Sequence, residues 1–222
     1  MKEISVFDVI GPNMIGPSSS HTAGALKIAL VTKKLVGDDI ASVEFILYGS
    51  FAQTYKGHGT DRALIAGMLG MNTEDIRIKD AINLAQDAKL KYKFTLAGTS
   101  DHHPNVVDIL VTHNNGHKTS VMGASIGGGN IKIVNINGVD IEFTGEYYTL
   151  LIKQKDIKGV VAHITNCLSG CDINIAFMRL YREEKGELAY TIIEADNPMD
   201  DEVIRFIKKN KSILDVNAIE SI

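Results

Sequence analysis

The chain has 222 residues, 45% of them hydrophobic and 23% charged, with a formal net charge of −4. Such a composition fits a globular chain long enough for one large domain or two small ones. There is no block of Lys and Arg to neutralise a phosphate backbone, so nucleic-acid binding is disfavoured, and no apolar run is long enough to cross a bilayer as a helix.

Residues 1–8 do not read as a secretory signal, because Asp8 interrupts a short apolar stretch. The expected location is the cytoplasm, where Cys167 and Cys171 would be reduced thiols. Residues 6–15 form a turn-rich opening that includes Pro12. After Pro17 comes a polar cluster, Ser18-Ser19-Ser20-His21-Thr22, and then the run Ala25–Val36, with Leu26, Ala29, Leu30, Val31 and Leu35 at helical spacing. The cluster therefore falls where a helix should begin. A helix start offers free backbone N–H groups and a partial positive charge, and Ser is a preferred N-cap. A single hydroxyl there would be an ordinary cap; the row Ser18–Thr22 points to a site for a small anion, a carboxylate or a phosphate.

The helix should end near Gly37, and Ser42–Tyr48 reads as a strand. The loop Lys56-Gly57-His58-Gly59-Thr60-Asp61-Arg62 follows, then a helix through Leu69 that Thr60 or Asp61 can cap. Asp80–Ala88 reads as a short helix, and residues 92–97, 106–112, 119–126, 131–136 and 139–143 as strands. Asn114–His117 and Asn137-Gly138 are hairpin turn signals. Gly127-Gly128-Gly129 lacks both the P-loop Lys-Ser/Thr and the dinucleotide fingerprint, and reads better as backbone approached closely by a small ligand or a partner chain.

Composition shifts near Thr144-Gly145-Glu146. Beyond it the order is strand (148–152), helix (159–168, closed by Gly170), strand (173–181), strand (188–194), helix (200–209) and strand (213–219), the ferredoxin-like order βαββαβ.

Among the candidate groups, His58 stands out: glycines on both sides leave its ring unshielded, and an imidazole titrates close enough to neutrality to accept a substrate proton. The competing reading is a surface loop histidine. His21 can donate to the anion of the serine cluster, or can simply be a hydrogen-bonded helix-start residue. His102-His103 reads as a turn, since no third or fourth ligand is spaced to join it. His163, Cys167 and Cys171 recur every four residues but lack a fourth ligand, and the thiols read as small hydrophobes. No metal site is expected in this chain, and its two cysteines cannot alone hold an iron–sulfur cluster, which typically takes four thiolates.

Taken together, Val6-Phe7-Asp8, Gly16–Thr22, Tyr48-Gly49-Ser50, Lys56–Asp61 and Gly123–Gly129 resemble the beta subunit of iron–sulfur-dependent L-serine dehydratase (L-serine ammonia-lyase), over nearly the whole chain. The resemblance implies an α+β protein. Residues 1–145 would form a mixed α/β domain similar to the substrate-binding regulatory domain of some phosphoglycerate dehydrogenases. Residues 146–222 would form a ferredoxin-like ACT domain, with Gly159, Val160 and Asn174 as possible ligand contacts, although its turn Asp156-Ile157-Lys158-Gly159 departs from the usual Asp-x-Pro-Gly. The implied reaction turns L-serine into pyruvate and ammonia by loss of water. A [4Fe-4S] cluster in a separate alpha subunit would act on the serine hydroxyl, and His58 would supply the base.

On this reading Ser18, Ser19, Ser20, His21, Thr22, Gly57, Gly59, Thr60 and Asp61 contact either the substrate or the partner chain. A hetero-oligomer with homotypic ACT pairing is expected, since unpaired strand edges seek partners. Two other functions stay open: a purely regulatory amino-acid-binding module, and a phosphate-ligand binder using the serine helix start.

Overall fold

The computed structural model describes residues 13–99, 103–182 and 184–222; the expected turns at residues 6–12 and His102 lie outside them. The chain divides into two compact units, one ending at Thr144 and one running from Gly145 to Ile222, each with its own sheet. The protein is α+β, as the sequence indicates.

In the first unit the π-helical turn Ser19–Gly24 runs straight into helix α1, Ala25–Val36. Ser18 is the cap residue, so the polar cluster is itself the first helical turn, not the loop before it. The helix stops at Gly37, whose φ of 70° needs a residue without a side chain. Strand β1 (Ser42–Tyr48) leads into a short helix, α2 (Gly49–Thr54), which holds one buried residue, Phe51, and so left no apolar period to read. Helix α3 covers Thr60–Met68, a 3-10 turn Ile76–Asp80, and α4 Ala81–Asp87. Five more strands follow: β2 (Lys91–Leu96), β3 (Asn105–Thr112), β4 (Lys118–Gly127), β5 (Asn130–Ile136) and β6 (Val139–Phe143).

The six strands lie in the order β2-β1-β3-β4-β5-β6; β1 and β2 are parallel and the other pairs antiparallel. Tight turns enforce the antiparallel part. Asn137 and Gly138 have φ of 53° and 86°, and Gly128 and Gly129 have 61° and 81°, the paired positive values of a two-residue hairpin. The triple glycine is thus consumed by its own turn, which is sufficient reason for those residues.

Alternation buries one sheet face: Val43, Phe45 and Leu47 on β1, and Val107, Ile109 and Val111 on β3. Helix α1 lies on that face so closely that a Cβ on Gly123 of β4 would stand 2.5 Å from the Ile28 side chain.

The second unit is built from β7 (Tyr148–Lys155), α5 (Val160–Gly170), β8 (Ile175–Arg182), β9 (Leu188–Ala195), α6 (Asp201–Lys208) and β10 (Ile213–Ile219). The strand order is β10-β7-β9-β8, antiparallel throughout, which is the ferredoxin-like arrangement. Leu150, Ile152 and Ile193 from the sheet pack on Val160, Ile164 and Leu168 of α5 and on Val203 and Ile207 of α6. Helix α6 is fixed at its start by Asp200, whose carboxylate accepts the N–H groups of Glu202 (3.0 Å) and Val203 (3.1 Å).

Candidate functional site

The first-unit candidates converge where the start of α1 meets the loop before α3. Ser18 accepts the backbone N–H of His21 on its hydroxyl at 3.1 Å, which holds the helix start and aims the His21 side chain. The Thr22 N–H bonds to the Ser18 carbonyl at 2.8 Å, and the Ala23 N–H reaches the same carbonyl at 3.4 Å, the wider π-type closure. Gly24 lets this turn pack closely on the sheet: a Cβ there would collide with Ser125 of β4.

The loop comes to meet this turn. His58 donates its N–H to the Thr54 carbonyl at 3.0 Å, and its own carbonyl accepts the Thr22 hydroxyl at 3.0 Å. Its backbone is therefore fixed on both sides while its ring stays exposed. The ring stands edge to face with His21, centroids 4.7 Å apart at 81°. His21 is enclosed further by Phe51, at 5.4 Å, and by the Ser50 hydroxyl, 2.8 Å from its Nε2. Ser50, named above only within a family motif, and Phe51 are not among the expected site residues. The dipeptide Gly49-Ser50 carries no chemistry alone, and only the fold puts it beside His21.

The remaining candidates sort differently. Gly59 adopts the left-handed conformation, φ 69°, and takes the cap position of α3. This corrects the expected cap: neither Thr60 nor Asp61 caps the helix. Thr60 is the first helical residue, buried, and its hydroxyl has no hydrogen-bond partner among the described residues. Asp61 bonds the N–H of Arg62 within the first turn, where a negative charge suits the helix dipole. Gly57 is exposed beside His58, and Ser19 and Ser20 are half-buried in the first turn.

Burial pushes the pKa of His21 below its ordinary 6.5, and the neighbouring charge of His58 adds to the shift. The folded chain then binds fewer protons at this ring than the unfolded chain. Stability is fully present above pH 6.5 and falls as the pH drops through 6.5 toward the lower folded value. Thermal melts of the wild-type chain from pH 8 to 5 should show this loss, and His21→Gln should reduce its slope. An unchanged slope would contradict the burial of a neutral His21.

The second-unit candidates do not come together within one chain. Gly159, φ 88°, and Val160 lie at the start of α5, beyond the Lys155 end of β7. Asn174 precedes β8, whose first residue pairs with Ala195, the partner of Tyr148 at the far end of β7. The Asn174 amide donates to Asp196 at 3.2 Å. Asp156 is engaged within its own unit, accepting the Gly186 N–H at 2.9 Å and pairing with Arg182 at 3.0 Å. The Nε2 of His163 lies 3.1 Å from the Ile207 carbonyl, tying α5 to α6, and Cys167 packs at 3.7 Å from the same nitrogen. Burial pushes the Cys167 thiol up, away from the thiolate a metal would need. With two half-buried cysteines on and just past one helix, this chain's residues do not fit an iron–sulfur cluster. His103, whose Nδ1 accepts the Asn105 N–H at 3.1 Å, is a turn residue.

Residues 5–135 match the family model described as serine dehydratase beta chain. The L-serine dehydratase beta chain of Peptoniphilus asaccharolyticus is 46% identical over 200 residues, covering 90% of each chain. The probable L-serine dehydratase beta chain of Bacillus subtilis (strain 168) is 41% identical over 219 residues, 99% of each. The D-3-phosphoglycerate dehydrogenase of the same organism is 24% identical over 195 residues, covering 87% of this chain and 37% of that one.

Proposed function

The chain belongs to the serine dehydratase beta chain family, and from that premise we propose that it is the beta subunit of an L-serine dehydratase, a cytoplasmic enzyme that converts L-serine to pyruvate and ammonia. The [4Fe-4S] cluster would then sit in a separate alpha subunit, because the two cysteines of this chain are too few to hold it. When bound there, the cluster supplies a Lewis acid for the serine hydroxyl.

What this chain contributes is the proton acceptor. Loss of water from serine requires removal of the Cα proton beside the carboxylate. His58 is the group that would take it, and the observation that carries this role is its backbone pinned at Thr54 and Thr22 with the ring left exposed. On accepting a proton His58 becomes cationic. Its neighbour His21 is held toward neutrality by burial, so the new charge meets an edge-on neutral ring instead of a second cation. The first turn is suited to the substrate carboxylate or to the partner's surface: with the His21 and Thr22 N–H groups bonded to Ser18, helix geometry leaves those of Ser19 and Ser20 pointing outward. Gly57 and Gly59 keep the approach to His58 clear, and Gly59 in the left-handed conformation sets the start of α3 behind it.

We read residues 146–222 as an ACT domain. Because Gly159 and Val160 lie at the opposite end of the sheet from Asn174, a ligand touching all three would be shared between two copies, consistent with homotypic pairing of these units.

The test is reconstitution. The purified chain alone should not turn over serine, and adding the alpha partner should give pyruvate formation that needs both chains. Full activity of the alpha partner alone would overturn the reading. The second reading, a purely regulatory module, draws on the similarity to a phosphoglycerate dehydrogenase. Calorimetry on the isolated chain separates the two: saturable serine binding together with full turnover by a His58 variant would favour regulation.

A further inference from the structure

We infer that Ser50 is a positioning residue of the histidine pair: it anchors the His21 ring, and His21 in turn sets the orientation in which His58 is presented. This rests on the proposed role of His58.

The serine is itself held firmly. Its N–H donates to the Pro104 carbonyl at 2.8 Å, and its own carbonyl accepts the Thr54 hydroxyl at 2.8 Å. Gly49 before it has φ 51° and lies so close to Pro104 that a side chain there would strike the Pro104 carbonyl. The start of α2 is thus locked against the loop leading into β3, and the Ser50 hydroxyl is delivered to a fixed point. From there it reaches Nε2 of His21 at 2.8 Å. The other ring nitrogen, Nδ1, faces the Ser18 hydroxyl at 3.4 Å, too long for a strong bond. The ring's remaining neighbours are the faces and edges of Phe51 and His58, which shape its slot but do not fix its rotation. Among the described residues, Ser50 is therefore the one short polar anchor of the ring.

The choice of a hydroxyl has a chemical meaning. A carbonyl or carboxylate at 2.8 Å would force a proton onto Nε2. A hydroxyl can donate or accept, so it keeps hold of the imidazole whichever nitrogen carries the hydrogen. His21 can then exchange protons with its surroundings without swinging away from His58. The path runs from the Pro104 carbonyl through the backbone of Ser50 to its hydroxyl, then through His21 to the His58 ring.

The experiment has two arms. In the first, the histidine ring nitrogens of the isolated chain are followed by NMR through a pH titration in wild type, Ser50→Ala and Ser50→Thr. Ser50→Ala should move the His21 resonances and its titration, with a smaller response at His58, and Ser50→Thr, which keeps the hydroxyl, should restore them. In the second arm, the same variants and His58→Ala are assayed with the alpha partner. Ser50→Ala should lower kcat about tenfold with KM within about twofold, as expected for loosened alignment of a catalytic group, and should alter the pH profile of kcat; Ser50→Thr should recover most of the rate. An unmoved His21 spectrum in Ser50→Ala overturns the proposal. So does a moved spectrum with unchanged kcat while His58→Ala is inactive. If His58→Ala retains full activity, the base assignment fails instead, and the NMR arm still decides whether Ser50 anchors His21.

Discussion

His58→Ala should lower kcat of the reconstituted enzyme by about 10²–10⁴-fold, the range for removing a positioned general base. The effect should be nearly free of a folding defect. The hydrogen bonds described for His58 are through its backbone, to the Thr54 carbonyl and from the Thr22 hydroxyl, and alanine keeps both. The ring itself is exposed, so its loss leaves no buried cavity. What disappears is the proton acceptor and the edge-to-face partner of His21. Added imidazole should therefore restore part of the rate, because the space vacated by the ring opens to solvent, whereas it would not rescue a misfolded variant. Serine turnover and the melting curve, measured on the same preparation, check the two halves. Full turnover in the variant would remove the base from this chain and leave the regulatory reading.

The parts of this structure that follow a short period were legible in the sequence. The alternation of Val43, Phe45 and Leu47 marks a half-buried strand, and the Asn137-Gly138 pair marks a hairpin because both positions need positive φ. The second unit was readable for the same reason: each of its elements carries its own period, and their order admits few topologies. The site was readable only in pieces. A serine of the cluster could be read as a cap without saying which, and His58 could be seen to lack shielding. That His21, Ser50, Phe51 and His58 share one slot depends on α2 folding back from β1, which no local pattern encodes.

The close packing of the first turn on the sheet needs a glycine at position 24 opposite Ser125, a relation between residues far apart in the chain. The cap of α3 went the other way from expectation for a local reason. Gly59 in the left-handed conformation turns the chain sharply enough to expose His58 and bury Thr60 at once, which a polar cap at Thr60 would not do.

The helix pair behind the site sets the largest structural effect expected. Gly67→Ala should destabilise the first unit by about 2 kcal/mol. On propensity alone the change should help, by about 1 kcal/mol, since Gly67 lies inside α3 with ordinary helical backbone. The surroundings reverse the sign. A Cβ at Gly67 would collide with the Leu26 carbonyl oxygen and stand 2.7 Å from the Ala29 Cβ and 2.9 Å from the Leu30 nitrogen. Two of those three atoms are backbone, so no side-chain rotation can clear them, and α1 and α3 would have to move apart. Their separation would loosen Leu26, Ile28, Leu64 and Ile65, all buried at this interface or beneath it. Ala29→Gly in the Gly67→Ala background removes only the side-chain obstacle and should rescue little. Gly57→Ala serves as the control, because its nearest non-neighbour atom would be the Thr54 carbonyl at an ordinary 3.7 Å. Amide exchange of the buried strands β1 and β3 reads the stability of this unit without interference from the other. Protection in Gly67→Ala equal to wild type would mean that the two helices do not meet this closely. The start of α1 would then lose its fixed distance from the loop that carries His58.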